Sequence, residues 1–371
     1  MDAAARTGGS PLAGWPAYLI VLLVLAAAVY SFAHRPLPPF PATEIHPDRL
    51  LVNGLAQKGS RLIAAGELGH ILYADNADGP WHEAKIDPDR GSTFTRAAFI
   101  DDKTALAVGH DGWIVRSTDG GMTWKEAAFD PNRPDPLLGV AGPFDSKLFA
   151  FGAFGLFMSS NDMGQTWQSA PLVIDSGDKK PEPAKRAEVD PNADPFANFG
   201  KEETQPDRHM NAMISLSDGS LLLVGERGLL LQSRDSGATW KELPSIYTGS
   251  FFGALALPQD HVMVFGMRGN AFVSGDLAKT WQKSETPLTI SLFGGAVLPS
   301  GAVVLVGDHN AVLKSDDLGA HFTVASQAEH HGLAASLAEV VVLPNGQLLT
   351  AGDGGVSRPA ASAPAPAGGA P

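Results

Sequence analysis

The sequence predicts an all-β fold: a seven-bladed β-propeller of four-stranded blades, preceded by an N-terminal transmembrane helix. Three observations predict it. A repeat with a period near 43 residues fills most of the 371-residue chain. Gly at 41 and Pro at 28 against 4 Tyr favours many short strands joined by tight turns. An uncharged run of 19 residues lies near the start, at 15–33.

Residues 1–14 read as a cytoplasmic tail before that run, WPAYLIVLLVLAAAVYSFA. Its length suits a bilayer core, and Trp15, Tyr18 and Tyr30 stand near its ends, where amphipathic rings prefer the interface. Arg6 against Asp2 gives only a weak orientation signal. A cleaved signal peptide ending at Ser31-Phe32-Ala33 is the competing reading, and a reversed anchor with a cytoplasmic domain is a third. Residues 34–38 then begin the stiff, proline-rich exit RPLPPFP (35–41).

The ring is expected over 39–358. Each unit has a hydrophobic run ending in Gly, a short turn, a second hydrophobic run and an octet such as STDGGMTW (117–124). The marker glycines are Gly66, Gly109, Gly152, Gly225, Gly266, Gly307 and Gly352, spaced 43, 43, 73, 41, 41 and 45. Unit two divides into four strand-sized pieces, FTRAAFI, TALAVG, WIVRST and TWKEAA. The seventh unit stops before its octet. PFPATEIHP (39–47) aligns with PWHEAKIDP (80–88), so the N-terminal segment is expected to complete the last blade and close the ring.

The octet reads as architecture. Asp119, Asp162 and Asp235 can accept backbone N–H bonds in an Asx-type turn, and Gly121, Gly164 and Gly237 can take the positive φ it needs. Thr123, Thr166 and Thr239 can close the turn, and Trp124, Trp167 and Trp240 are expected to be buried between blades. A catalytic group is needed once, whereas this pattern recurs.

All octets fall on one face of the ring. The Gly turns fall on the other, which carries the variation and is the expected recognition face. Candidate partner-binding residues there are His110, Asp111, Glu226, Arg227, Arg268, Asp308 and His309. Thirteen residues before each marker Gly lies an inner-strand position near the axis: Asn53, Arg96, Gly139, Ala212, Gly253, Gly294 and Glu339. Arg96 and Glu339 stand out among small residues, as an ion pair, a solvated channel wall or a ligand contact. His110, His309, His330 and His331 come from different blades, so no metal site is assigned, and nothing calls for a cofactor. The widest spacing marks an insertion over 173–206, too polar to fold alone and readable as a flexible linker or a docking segment. It is expected to leave from the Gly-turn face. The tail 359–371 is low-complexity and expected to be disordered.

A net charge of −13 argues against a nucleic-acid binder, and the absence of Cys excludes disulfides, Cys-ligated zinc and thiol catalysis. A sialidase-like glycoside hydrolase would need a Tyr nucleophile activated by Glu. Outside the helix only Tyr73 and Tyr247 occur, the latter with Glu242 before it. A two-carboxylate glycosidase could draw on Asp111, Glu226, Asp308 and Asp353, and nothing selects a pair. A small-ligand sensor is the other alternative.

The repeats resemble Asp-box, or bacterial-neuraminidase-type (BNR), repeats. Three octets match fully; unit five has Ala278 for Gly, unit six has His321-Phe322 for Thr-Trp, and unit one is degenerate. With one long insert, a membrane-targeting segment and seven such units, residues 40–355 resemble the photosystem II stability/assembly-factor family and its non-photosynthetic bacterial relatives. The resemblance implies a non-catalytic propeller that assists assembly of a membrane protein complex outside the cytoplasm. That family's Arg-rich patch does not map residue by residue onto this chain. The expectation is therefore a scaffold tethered to the inner membrane, its propeller periplasmic, docking on an integral membrane protein such as a transporter.

Overall fold

A computed structural model describes residues 15–32, 46–175, 208–326 and 335–359. The chain divides into two compact units, 1–44 and 45–371. The second is a seven-bladed propeller, each blade an antiparallel meander. Blade 1 runs Val52–Lys58, Arg61–Gly66, Ile71–Ala74 and His82–Glu83, and blade 2 runs Phe94–Phe99, Ala105–Gly109, Ile114–Ser117 and Thr123–Ala128. The remaining inner strands are Leu137–Phe144, Met210–Ser215, Phe251–Ala256, Leu292–Val297 and Leu337–Val342.

The second strand of each blade is sandwiched between neighbouring blades, which is why it is apolar throughout rather than alternating. Ala105–Gly109, Leu221–Gly225, Val262–Gly266 and Val303–Gly307 are buried at every position. Seven apolar clusters result, each shared by two adjacent blades. The cluster joining Leu50, Val52 and Leu62 to Leu343, Leu349 and Ala351 joins blade 1 to blade 7, so the ring is closed through its core. The marker glycines have extended backbones, and their role is close approach. A Cβ on Gly109 would collide with the carbonyl of Thr93, and one on Gly307 with that of Ser291.

Blade 7 has three strands among the described residues, ending with Gly355–Ser357. The expected closing strand over 39–45 lies outside them. Pro47 does reach the last strand, its carbonyl accepting the Val356 N–H at 2.9 Å.

The expected transmembrane span is not obtained. Trp15–Phe32 forms an 18-residue helix, and no described helix is long and apolar enough to cross a membrane. Pro16 and Tyr18 at one end and Tyr30 and Ser31 at the other narrow the uninterrupted apolar stretch to 19–29. Its large apolar side chains, from Leu19 to Val29, are exposed. The tail 1–14, most of the linker and the C-terminal 360–371 fall outside the described residues.

Candidate functional site

The octet turns are structural, and the residue that centres them is the serine before the aspartate. Buried Ser117 donates to Asp119 Oδ1 at 2.8 Å and accepts the Gly121 N–H at 2.9 Å. Asp119 Oδ1 accepts the Thr123 N–H at 3.0 Å, while Oδ2 accepts the Thr123 hydroxyl at 2.6 Å. The pattern recurs around Asp162, Asp235 and Asp276. In unit six His321 takes the threonine's place, its Nδ1 lying 2.6 Å from Asp317 Oδ2. The residue four places on, Thr166, Thr239, Thr280 or His321, is the main cause that holds the carboxyls of Asp162, Asp235, Asp276 and Asp317 down to about 2. Asp119 is pushed up by desolvation, but its hydrogen bonds outweigh this and leave it lowered. Gly121, Gly164 and Gly237 have φ of +91°, +76° and +81°, and Ala278 adopts +65° at the same place. Trp124 and Trp240 are buried, while Trp167 is only half-buried, contrary to expectation.

On the opposite face, the Gly turns of blades 1–6 are single 3₁₀ turns whose middle residue has positive φ: Leu68, Asp111, Phe154, Arg227, Arg268 and His309. Five of these tips are exposed, and Asp111 is half-buried. Leu68 is 66% exposed and Phe154 58%, so the face displays apolar groups beside the exposed arginines Arg227 and Arg268. Leu68 and Phe154 were not among the recognition candidates read from the sequence, although they sit in the Gly turns. A bulky side chain in a turn that usually favours glycine was the signal for them.

The acidic residues at these tips are engaged locally. Glu67, Asp308 and Asp353 accept the N–H of Leu51, Ser291 and Ser336, sixteen or seventeen residues earlier. Glu226 pairs with His209 at 3.3 Å, Asp111 accepts the Ser92 hydroxyl at 2.5 Å, and Asp308 also accepts that of Ser336. Tyr247 donates to the Met267 carbonyl at 3.3 Å, and Glu242 is bridged to Arg208 at 2.8 Å. The residues considered for glycosidase chemistry thus anchor turns and blades. His110 is exposed, and His330 and His331 lie outside the described residues, among which no cluster could hold a metal ion.

Along the axis each inner strand carries a bulge just before its axis-facing position, Gly or Ala in five blades and Arg96 and Glu339 in the other two. Counting back thirteen residues fails in blade 1, whose hairpin is one residue shorter. Gly54, paired with Ala65, matches Arg96, paired with Val108, and Asn53 is the bulge residue. Asn53, Thr95 and Asn211 on the bulges each donate to the next blade's inner strand, at Phe94, Leu137 and Phe251. Arg96 and Glu339 meet as an ion pair across the position of Gly54, lining a channel cavity of about 200 Å³. Burial lowers the Arg96 pKa, although 26% of its side chain still meets solvent.

The insertion lies outside the described residues from 176 to 207, but its ends are fixed. It leaves at the outer rim, where Ile174 bridges Trp240, and not from the Gly-turn face as expected. It returns on that face, where His209 accepts the Glu226 N–H.

No family model and no curated protein matches the chain. Solved structures match its shape. YCF48 bound to D1 peptide gives a TM-score of 0.59 at 13% identity, covering 85% of this chain and 97% of that one. YCF48 from Cyanidioschyzon merolae gives 0.60 at 14%, covering 84% and 95%. A chain of the mitotic checkpoint complex gives 0.62 at 10%, covering 96% and 98%. The likeness is one of fold, and it is the fold that the assembly-factor resemblance implied.

Proposed function

We propose that this protein is a non-enzymatic scaffold, an accessory or assembly factor for a membrane protein complex, docking through its Gly-turn face. The observation that carries the reading is the tip display. Two large apolar side chains and two arginines are held outward on left-handed turns of a rigid ring, while the neighbouring carboxylates are engaged locally. Apolar anchors beside arginines are the composition of protein interfaces. Two shape-matched proteins support it, one bound to a peptide and one part of a complex. Trp15–Phe32, apolar around its whole circumference, is suited to lipid or to a protein groove and serves as the tether. The propeller then lies on the periplasmic side of the inner membrane, and its partner is an integral membrane protein, a transporter being one class.

Crosslinking and affinity capture from native membranes test this. Wild-type protein is expected to recover a membrane protein, and Phe154→Asp with Arg268→Glu is expected to lose it while the ring stays folded. Recovery of no membrane protein, or recovery indifferent to the double variant, removes the docking proposal.

A further inference from the structure

The outer rim holds a pattern that the tip face does not explain. In blades 2, 4 and 6 the segment arriving from the preceding blade lies parallel to the outer strand. Lys85–Asp87 pairs with Thr123–Lys125, with Ile86 beside Trp124. Ile174 bridges Trp240, whose N–H donates to Val173 O at 2.8 Å and whose carbonyl accepts the Asp175 N–H at 2.7 Å. Glu285 bridges His321 in the same way. The octet aromatics under these segments are buried: Trp124 and Trp240 are 1% exposed and Phe322 6%.

Blade 3 has no such segment among the described residues. The Trp167 backbone N–H and carbonyl, the groups Trp240 uses, have no partner there. Blade 5 lacks the added strand too, but Leu243, Ile246 and Tyr247 pack in one cluster with Trp281. Beside Trp167 the chain from blade 2 supplies Ala127 and Ala128; Phe129 also lines the groove, but its ring packs on the blade 1–2 cluster beneath Arg90. The result is a groove of about 410 Å³ between blades 2 and 3, walled by those alanines, Leu156, Met158 and Trp167, with Arg133 at its edge. That is the size of a ligand site, about 300–1,000 Å³.

We propose that this groove receives an extended peptide segment of a partner protein, added as a parallel strand along Trp167–Ser169. An apolar residue would lie over Trp167, with an acidic residue following it. The occupant's chemistry is read from the chain itself. Ile86 and Ile174 lie beside their tryptophans, each followed by aspartate; Asp87 faces Lys125, and Asp175 comes alongside Lys241. In blade 3 the lysine's place is taken by Gln168, and the cation is Arg133, 3.1 Å from the Ser169 hydroxyl. Arg133 also contacts Asp135, at 3.5 Å, and is one-third exposed, so an incoming acid can reach it. Main-chain pairing supplies adhesion, while the apolar site and the charge supply selectivity.

The test is ¹⁹F NMR on the full-length chain carrying 5-fluorotryptophan, titrated with the capped hexapeptide Glu-Ala-Lys-Ile-Asp-Pro, the sequence of residues 83–88. The Trp167 resonance, assigned with Trp167→Phe, is expected to shift saturably at millimolar peptide while those of Trp124 and Trp240 stay fixed. Arg133→Glu is expected to weaken the peptide roughly tenfold and to favour a version with Lys in place of Asp. Ala128→Leu, which fills the groove, is expected to abolish the shift. No Trp167 response up to about 10 mM peptide, or a response indifferent to Arg133→Glu and to the Asp–Lys exchange, overturns the proposal. Phe154→Asp and Arg268→Glu leave this titration unchanged, so the groove and the tip face stand or fall separately.

Discussion

Truncating the three octet tryptophans one at a time should give three different losses, although the sequence writes them identically. Trp124 is 1% exposed and its indole N–H donates to the Gly121 carbonyl at 2.9 Å. Removing a buried side chain of this size costs ~3–5 kcal/mol in transfer and cavity terms. Trp124→Ala also orphans that carbonyl, so it belongs at the upper end, at about 5 kcal/mol. Trp240 is equally buried and meets Phe157 edge-on at 6.1 Å, but its indole N–H has no partner. Deleting an unpaired buried donor returns about 1 kcal/mol, leaving a cost of about 3 kcal/mol. Trp167 is half-buried and faces the open groove, so about 2 kcal/mol is expected. A ring this large shifts by about 2 °C per kcal/mol, so the melting points should fall by about 10, 6 and 4 °C. Thermal unfolding followed by circular dichroism reads the order directly. A loss at Trp167 equal to or larger than that at Trp240 would refute the account of the rim given above.

Gly237→Ala should cost about 2–4 kcal/mol, because the new Cβ takes a left-handed backbone at φ +81° and meets the Phe149 ring. Adding Phe149→Leu should recover part of it, since Ala278 shares a cluster with Leu222 at the matching place; no recovery in urea unfolding would show that strain, not crowding, decides. Stability should also fall as pH drops from about 4 to about 2. Asp162, Asp235, Asp276 and Asp317 are depressed to about 2 from an ordinary 3.8, so their contribution is complete above the unfolded value and is lost as the folded carboxylates protonate. His321 has the opposite sign. Asp317 raises its pKa above 6.5, so its contribution is present below 6.5 and fades as pH rises through the folded value. Melting points measured from pH 2 to 9 should therefore lose their neutral-side slope in His321→Thr and keep the acid limb. A neutral slope that survives the substitution would point to another group.

The blade count, the strand order and the octet chemistry were legible because each recurs. A repeated Gly, Asp or Trp announces a backbone requirement that every blade shares, and here seven glycines meet seven carbonyls. What was illegible arises where two different copies meet. Asn53 was misplaced because blade 1's hairpin is one residue shorter, and only strand pairing reveals that. Glu226 and Asp308 looked available for recognition because their partners, His209 and Ser291, lie seventeen residues away in unrelated-looking links. The helix was read as a span because an uncharged run was counted to its polar ends, whereas hydrocarbon is matched only by the stretch between them.

The same contrast bears on where a propeller can acquire a partner. A ring whose blades are covered alternately by their predecessors' links has two kinds of outer edge. Where the link lies down, as at Ile86 and Ile174, the tryptophan is sealed and the edge is occupied. Where it does not, coverage depends on side-chain size alone. Leu243, Ile246 and Tyr247 pack in one cluster with the half-buried Trp281 in blade 5, whereas Ala127 and Ala128 leave a groove beside the half-buried Trp167 in blade 3. The small Ala127 and Ala128 leave an opening there without altering the octet, the blade or the ring. An edge strand left open in this way invites pairing by another chain. Its neighbours Asp130 and Arg133 keep it polar at the margin, the usual safeguard against indiscriminate pairing, so the groove selects by charge as well as by shape.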